Sequence, residues 1–365
     1  MTSVTPPPAV GIEQSGPDIV IGVDTHSDTH VLAAVTTRGA LLDTAAFPTT
    51  NAGIRAAIRW AAARGAITGW GIEGTGSYGA GLTRTLLDAG HRVQEMSRPN
   101  RQVRRVRGGK TDTIDAEAAA RSFLAEYATS TPKTGDGPVE LLRITRAAKT
   151  SAVKARTAAM NELKAVLITA PPDLRDSLRG LTPTALIKKC AAMHLTGTPL
   201  EAGTKQVLRS LAHRYRNLTA EIKALETQLT TLVQQANPAL LAVYGVGPDS
   251  AAALLIAAGD NPHRLTSEAG FAALCGTNPI PASSGRTERM RLNRSGDRQA
   301  NAALHRIIIC RLSHDPETQQ YMNDHVTPNG SNKRHLIRKL KRYLARRLYP
   351  LLITPTPTQA APQAA

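Results

Sequence analysis

Apolar residues fall in short blocks near the start of the chain and in helical stripes beyond its first third. Ile19–Asp24 (IVIGVD) reads as a buried strand. His30–Thr36 (HVLAAVT) and Ala40–Phe47 read as two more, with a glycine-containing turn between them, giving an antiparallel run of three. Asn51 is expected to cap an alanine-rich helix over residues 52–64, which Gly65 ends. Gly69–Glu73 (GWGIE) is a fourth strand, Gly79–Ala89 a helix, and Arg92–Met96 a fifth strand. A helix beginning near Thr111 closes the unit. The order βββαβαβα predicts a mixed sheet with helices packed on it.

From residue 139 to 235 the pattern is helical. Leu208, Leu211, Tyr215, Leu218, Ile222, Leu225, Leu229 and Leu232 alternate spacings of three and four, an a/d seam held over more than three heptads. A helical hairpin within one chain and a coiled coil between chains both fit this seam. A third unit opens near Leu240 with LLAVYGVGPDSAAALLIAAGD. It passes through a Gly/Pro/Ser-rich loop at 276–296 and resumes as a helix over Asp297–Leu312. A final helix, Asn332–Leu348, carries eight Lys/Arg plus His335 and sets Leu336, Ile337, Leu340, Leu344 and Leu348 on one face. Residues 1–16 and 351–365, rich in Pro, Thr and small residues, read as disordered tails.

Charge changes this picture. Lys+Arg outnumber Asp+Glu by 45 to 28, a net +17. That excess points to a polyanionic partner. No apolar run approaches the roughly 18 residues a membrane span requires. The N-terminal residues also lack the pattern of a signal peptide, so a cytoplasmic protein is expected. Cys190, Cys275 and Cys310 fit neither a zinc site nor a disulfide framework and are read as buried small hydrophobes. Aromatics are only 3%, which disfavours a stacking platform for single strands.

The acids carry the candidate chemistry. Asp24 ends one buried strand in GVDTHSDTH, and Glu73 ends another in GIEGTGSYG. Asp112 and Asp115, in KTDTIDAE, are spaced i, i+3 and share one helix face. An acid closing an apolar strand is costly unless paired or bound to a cation. Taken singly, Asp24 is a turn residue and Asp112 or Asp115 a first-turn acid. Taken together on this frame, the four converge at a sheet edge, where they would hold two Mg²⁺ ions for phosphodiester chemistry. Asp28 and Glu117 read as surface charges. Just before the acid pair, Arg98, Arg101, Arg104, Arg105, Arg107 and Lys110 form a cationic run suited to phosphate contact.

GVD, EGTGSY and KTDTIDA together resemble the motifs of the DEDD-type transposases of the insertion sequence 110 family, and the likeness runs from about residue 19 to 348. The resemblance implies a ribonuclease H-like (RuvC-like) domain over 17–130 with Asp24, Glu73, Asp112 and Asp115 as ligands of Mg²⁺, or of Mn²⁺. It implies a helical coiled-coil middle over 131–239. A mainly helical C-terminal transposase domain over 240–350 follows, with a helix-hairpin-helix-like element at GVGP. There Gly245 and Gly247 would let backbone N–H groups approach a phosphate, although a plain turn fits the glycines equally well. Ser27 stands where many relatives have Lys. The family's nucleophilic serine corresponds to Ser284, with Ser283 the adjacent candidate. Arg286, Arg289, Arg291 and Arg294 would hold the phosphate beside it. The resemblance also implies double-stranded DNA as substrate, a noncoding guide RNA from the mobile element, and a homo-oligomer, dimer or tetramer. Two other functions compete: a Holliday-junction-type nuclease with water as nucleophile, and a non-catalytic DNA-binding protein. The presence of all four acids argues against the latter.

Overall fold

The computed structural model describes residues 16–97, 111–127, 129–283 and 289–354. The chain divides into two compact units, Met1–Asp136 and Gly137–Ala365.

The first unit contains β1 (Asp18–Thr25), β2 (Thr29–Thr36), β3 (Leu41–Pro48), α1 (Asn51–Ala62), β4 (Ala66–Glu73), α2 (Ala80–Asp88), β5 (Val93–Met96), α3 (Asp112–Leu124) and β6 (Thr129–Ser130). The strands form one mixed sheet in the order β3-β2-β1-β4-β5-β6. The pairs β1–β2 and β2–β3 are antiparallel, as the sequence pattern predicts. β1–β4 and β4–β5 are parallel, and β6 returns antiparallel to β5. With two residues, β6 is too short to leave an alternation in the sequence. The cap of α1 is Thr50, not Asn51: the Gly53 N–H donates to the Thr50 hydroxyl at 3.1 Å.

The two faces of β1 bury different partners. Odd-numbered Ile19, Ile21 and Val23 join a core with Ile54 and Ala57 of α1, Leu82 and Leu86 of α2, and Trp70 and Ile72 of β4. Even-numbered Val20 packs with Ala119, Ala120 and Phe123 of α3. The even face is small on purpose of contact: a Cβ on Gly22 would overlap the Ala116 carbonyl and the Ala120 amide. One on Gly71 of β4 would lie 2.8 Å from the Ala119 carbonyl, and one on Gly69 would strike the Phe123 ring. Helix α3 therefore lies almost backbone to backbone on β1 and β4.

The second unit is mostly helical. Its elements begin with α4 (Pro138–Ile168), α5 (Pro172–Leu178), α6 (Pro183–Ala191), α7 (Pro199–Ala236), α8 (Pro238–Leu241) and α9 (Pro248–Ala258). A 3-10 turn at Pro262–Arg264 leads to α10 (Glu268–Leu274), β7 (Pro279–Pro281), β8 (Met290–Leu292), α11 (Arg298–His314), α12 (Pro316–His325) and α13 (Lys333–Ile353). The heptad seam on α7 faces α4 of the same chain. Lys149–Glu226 (3.0 Å) and Glu162–Arg214 (3.6 Å) pair in opposite sequence directions, so the two helices are antiparallel. Leu208, Ile222 and Leu229 are buried, and Leu218 and Leu225 half-buried. The base of this hairpin shares a core with the C-terminal helices, where Leu142, Leu229 and Val233 meet Leu254, Leu304 and Leu344.

Asp249, in the first turn of α9, ties this junction together. Its carboxylate meets Arg306 at 2.8 Å, Arg146 at 3.3 Å and Lys149 at 3.6 Å. Burial pushes the Asp249 carboxyl up, but Arg146, Arg306 and Lys149 outweigh it and hold the group below its usual range. The expected irregular loop at 276–296 contains a short antiparallel hairpin, β7–β8. The last helix runs to Ile353, five residues beyond its predicted end. Cys190 and Cys275 are buried as expected, and burial with the nearby Asp297 charge pushes the Cys275 thiol up to about 12. Cys310 is exposed, contrary to expectation, because it lies on the solvent side of α11.

The close approach of α3 to β1 gives a direct prediction. Gly22→Ala forces the helix off the strand and should destabilise the protein by about 3 kcal/mol, at the upper end of ordinary overpacking costs. Urea unfolding checks this; an unchanged midpoint would mean the contact is not tight.

Candidate metal centre

Strand alternation places the acids. Asp24 shares the even face of β1 with Val20 and Gly22, the face that α3 covers. In the parallel register Gly22 pairs with Gly71 and Val23 with Ile72, so Glu73 follows beside Asp24 at the same sheet end. The Thr25 hydroxyl donates to the Glu73 carbonyl at 2.8 Å and ties the two strand ends. Helix α3 starts over this edge. Thr111 is its cap, with the Ile114 N–H donating to the Thr111 hydroxyl at 3.4 Å, so Asp112 and Asp115 both lie in the first turn. Asp115 is buried at 6% exposure and Asp24 at 8%, whereas Glu73 is half-buried and Asp112 exposed.

A histidine completes the cluster. His26 Nε2 lies 3.2 Å from Asp24 Oδ2 and 3.4 Å from Asp112 Oδ2. These three side chains offer ligand atoms mutually within 4.8 Å, close enough to hold one cation. Among the described residues, neither Asp24 Oδ2 nor His26 Nε2 completes a hydrogen bond. Electron-pair donors facing one another in this way require either a proton on the imidazole or a cation between them. Hard carboxylate oxygens suit Mg²⁺, and an added imidazole is tolerated well by Mn²⁺. The residues therefore fit a divalent ion.

The electrostatics agree. Burial raises the Asp24 carboxyl above its ordinary pKa; His26 opposes this, while Glu73, Asp115 and Asp112 add to it. All four sequence-predicted acids are thus close enough for three of them to act on the fourth. Burial and the His26 charge also lower the pKa of His30, which is paired with Thr25 across β1–β2. The sequence argument missed His26. His26 lies in the turn just past the end of β1, so strand alternation does not place it, and its position beside Asp24 comes from the fold.

Asp28 is an exposed surface charge, as expected, whereas Glu117 is half-buried. Ser27 donates to Asp28 at 2.9 Å, and Glu117 pairs with Arg121 at 2.6 Å. The basic run Arg98, Arg101, Arg104, Arg105, Arg107 and Lys110 lies outside the described residues, as do Ser284 and Arg286. Ser283 is exposed, and its Oγ accepts from the Arg289 N–H at 3.4 Å. Arg289, Arg291 and Arg294 are exposed on or beside the β7–β8 hairpin. Gly245, with φ +80°, forms the turn before α9, and Gly247 is that helix's N-cap. Gly247 opens onto a groove of about 970 Å³ lined by Arg146, Lys149, Lys154, Lys223 and Arg306, a basic setting that the glycines alone did not reveal.

Metal-free protein should carry the mark of Asp24. A carboxyl whose folded pKa is raised makes the folded state bind protons more readily. Stability then falls as pH rises from the ordinary carboxylate value of about 3.9 through the raised folded value. In EDTA, Asp24→Asn should remove this loss and raise the urea midpoint near neutral pH. A lower midpoint for the variant would show that the ionised carboxylate is stabilised by protein groups alone.

Two family models match the chain. One, described as transposase (DEDD, IS110), covers residues 21–172. Another, described as transposase, IS116/IS110/IS902 family, covers residues 237–323. A Pseudomonas aeruginosa protein named "Probable family 20 transposase" is 31% identical over 222 residues, 59% of this chain and 62% of the relative. The aligned segment thus spans less than two thirds of that relative's length. The first match contains all four acids, and the second contains the GVGP turn and the β7–β8 hairpin.

Proposed function

We propose that this chain, which belongs to the IS110 family of insertion-sequence transposases, breaks and rejoins DNA strands using the acid cluster at the β1–β4 sheet edge. The observation that carries this reading is Asp24: a buried carboxylate, beside three further acids, with one oxygen that completes no hydrogen bond among the described residues. Stability alone gives no reason to assemble such a group, because like charges in a partly dry site repel. The strand order fits a ribonuclease H-like frame of the RuvC type.

Asp24, Glu73, Asp112 and Asp115 would hold Mg²⁺ or Mn²⁺, with His26 beside them. Bound there, the metal supplies charge stabilisation for a phosphoryl group and for the oxygen that attacks or leaves. The chain's own residues do the rest. Asp24 and Asp115 are held rigidly by burial, whereas exposed Asp112 is free to adjust to the ligand. His26 Nε2 faces Asp24 and Asp112 at 3.2 and 3.4 Å, where it would add a nitrogen donor to the carboxylates.

In the proposed reaction the Ser284 hydroxyl attacks a DNA phosphorus. A serine Oγ–phosphorus bond forms, a bridging phosphorus–oxygen bond breaks, and the hydroxyl proton is taken up as the departing strand end becomes a hydroxyl. Rejoining reverses these roles with a new strand end. Arg286, Arg289, Arg291 and Arg294 would hold the phosphate. Gly245, Gly247 and the run Arg98, Arg101, Arg104, Arg105, Arg107 and Lys110 would contact the backbone. The net +17 charge supports a nucleic-acid substrate. The family resemblance supports a noncoding guide RNA and a homo-oligomer. No helix among the described residues is long and apolar enough to cross a membrane.

The test is a search for a covalent adduct. Protein, Mg²⁺, the element's DNA ends and its flanking transcript are mixed, denatured, and the DNA-linked peptide sequenced. A link at Ser284, lost in Ser284→Ala, is expected. Asp112→Asn should abolish both adduct and breakage while retaining salt-sensitive DNA binding. Cleaved DNA with no adduct would establish water as the nucleophile, and breakage unchanged in Asp112→Asn would refute the acid site.

A further inference from the structure

A second concavity in the second unit lies away from the glycine turn. The β7–β8 hairpin and the turn before it face α13 across a cavity of about 310 Å³. That is near the lower end of the roughly 300–1,000 Å³ typical of small-molecule pockets. It suits one nucleotide-sized group and is far too small for a duplex.

Its lining combines two features that rarely coincide on a surface without a ligand. Arg291 of β8 and Arg338, Lys339 and Lys341 of α13 supply cations, and no Asp or Glu lines the cavity. Glu268 pairs instead with Arg342 and, more distantly, Arg346. Among the described residues, no carboxylate lies within ion-pair distance of Arg291, Arg338 or Lys339. Lys341 is half-buried and donates to Asn301 Oδ1 at 2.8 Å; burial, then the Arg338 charge, lowers its pKa. An anion would relieve this unbalanced charge. Beside the cations, three large side chains of the same cavity stay in water: Met290 at 68%, Tyr343 at 51% and Leu292 at 47% exposure. A bare inorganic anion would use only the cations. A nucleotide uses both, with its phosphate on the charges and its base or sugar on the apolar wall.

We infer that this cavity receives a single unpaired nucleotide of a DNA strand, held at its phosphate by Arg291, Arg338, Lys339 and Lys341 and at its base by Tyr343, Met290 and Leu292. The inference rests on the DNA reading above and adds to it a strand-separated nucleotide beside the hairpin whose connecting segment contains Ser284. Extruding one base from a duplex costs a few kcal/mol, which such a pocket offsets.

The test uses the full chain and a short oligothymidine carrying 5-iododeoxyuridine for photocrosslinking. A crosslink in the peptide containing Tyr343 or Met290 is expected. Arg338→Glu combined with Lys339→Glu changes two exposed residues and should leave thermal unfolding intact. It should weaken single-strand binding about tenfold and flatten the salt slope by about 0.7, the value for one lost phosphate contact on a single strand. DNA binding unchanged in this variant, with crosslinks elsewhere, would overturn the pocket while leaving the DNA reading in place. Absence of any DNA binding by the unaltered chain would overturn both. Preferential binding and crosslinking of the matching uridine RNA at Tyr343 would replace DNA with RNA as the occupant.

Discussion

The near-contact of helix α3 with the backbones of β1 and β4 is the constraint on which the candidate site depends. Gly22, Gly69 and Gly71 remove side chains from one face of two neighbouring strands, and Ala116, Ala119 and Ala120 present a matching smooth helix face. Because the helix cannot stand off the sheet, its first turn is delivered to the strand ends. Asp112 and Asp115 then meet Asp24 and Glu73 without any of the four having to reach. Bulkier residues on either surface would raise the helix and separate the acids, even if every acid were kept.

That geometry sets a local cost against the function. Two unit charges about 4 Å apart repel by roughly 4 kcal/mol at an effective dielectric near 20, and four acids cluster here. Within bonding range of Asp24 among the described residues stands the His26 imidazole, which is shared with Asp112. The hydrophobic core beneath, with Trp70, Ile72 and Leu82 fully buried, holds the strands in place despite the repulsion. The second unit shows the opposite arrangement at Asp249, where three cations surround one acid and stabilise its ionised form. At Asp249 the protein supplies the opposite charges itself, whereas around Asp24 burial and three neighbouring acids work against ionisation.

Much of this was legible in the sequence. The apolar blocks and flanking glycines marked five strands, the first three antiparallel, in a mixed sheet; that β4 and β5 run parallel to β1 came from the fold. The four acids were legible because each interrupts an apolar element or opens a helix. What needed the fold was what depends on partners. The seam from Leu208 to Leu232 could not name its partner, which is α4 of the same chain, an assignment fixed by pairs such as Lys149–Glu226. His26 lies in the turn beyond β1, and only the fold brings its Nε2 to within 3.2 Å of Asp24. The β7–β8 hairpin was hidden because Pro279 and Pro281 are poor strand formers, so the segment reads as coil. Cys310 was misplaced because its helix is amphipathic and its own side faces solvent.

The central claim is that these acids converge to bind a divalent cation, and Mn²⁺ titration of the full chain followed by electron paramagnetic resonance tests it most directly. Saturable binding is predicted, lost in Asp24→Asn and Asp115→Asn but kept in Asp28→Asn, whose carboxylate is occupied by Ser27 at the surface. Equal Mn²⁺ binding in all of these proteins would contradict the account, since the ion would then be held somewhere other than the edge that α3 and β1 build.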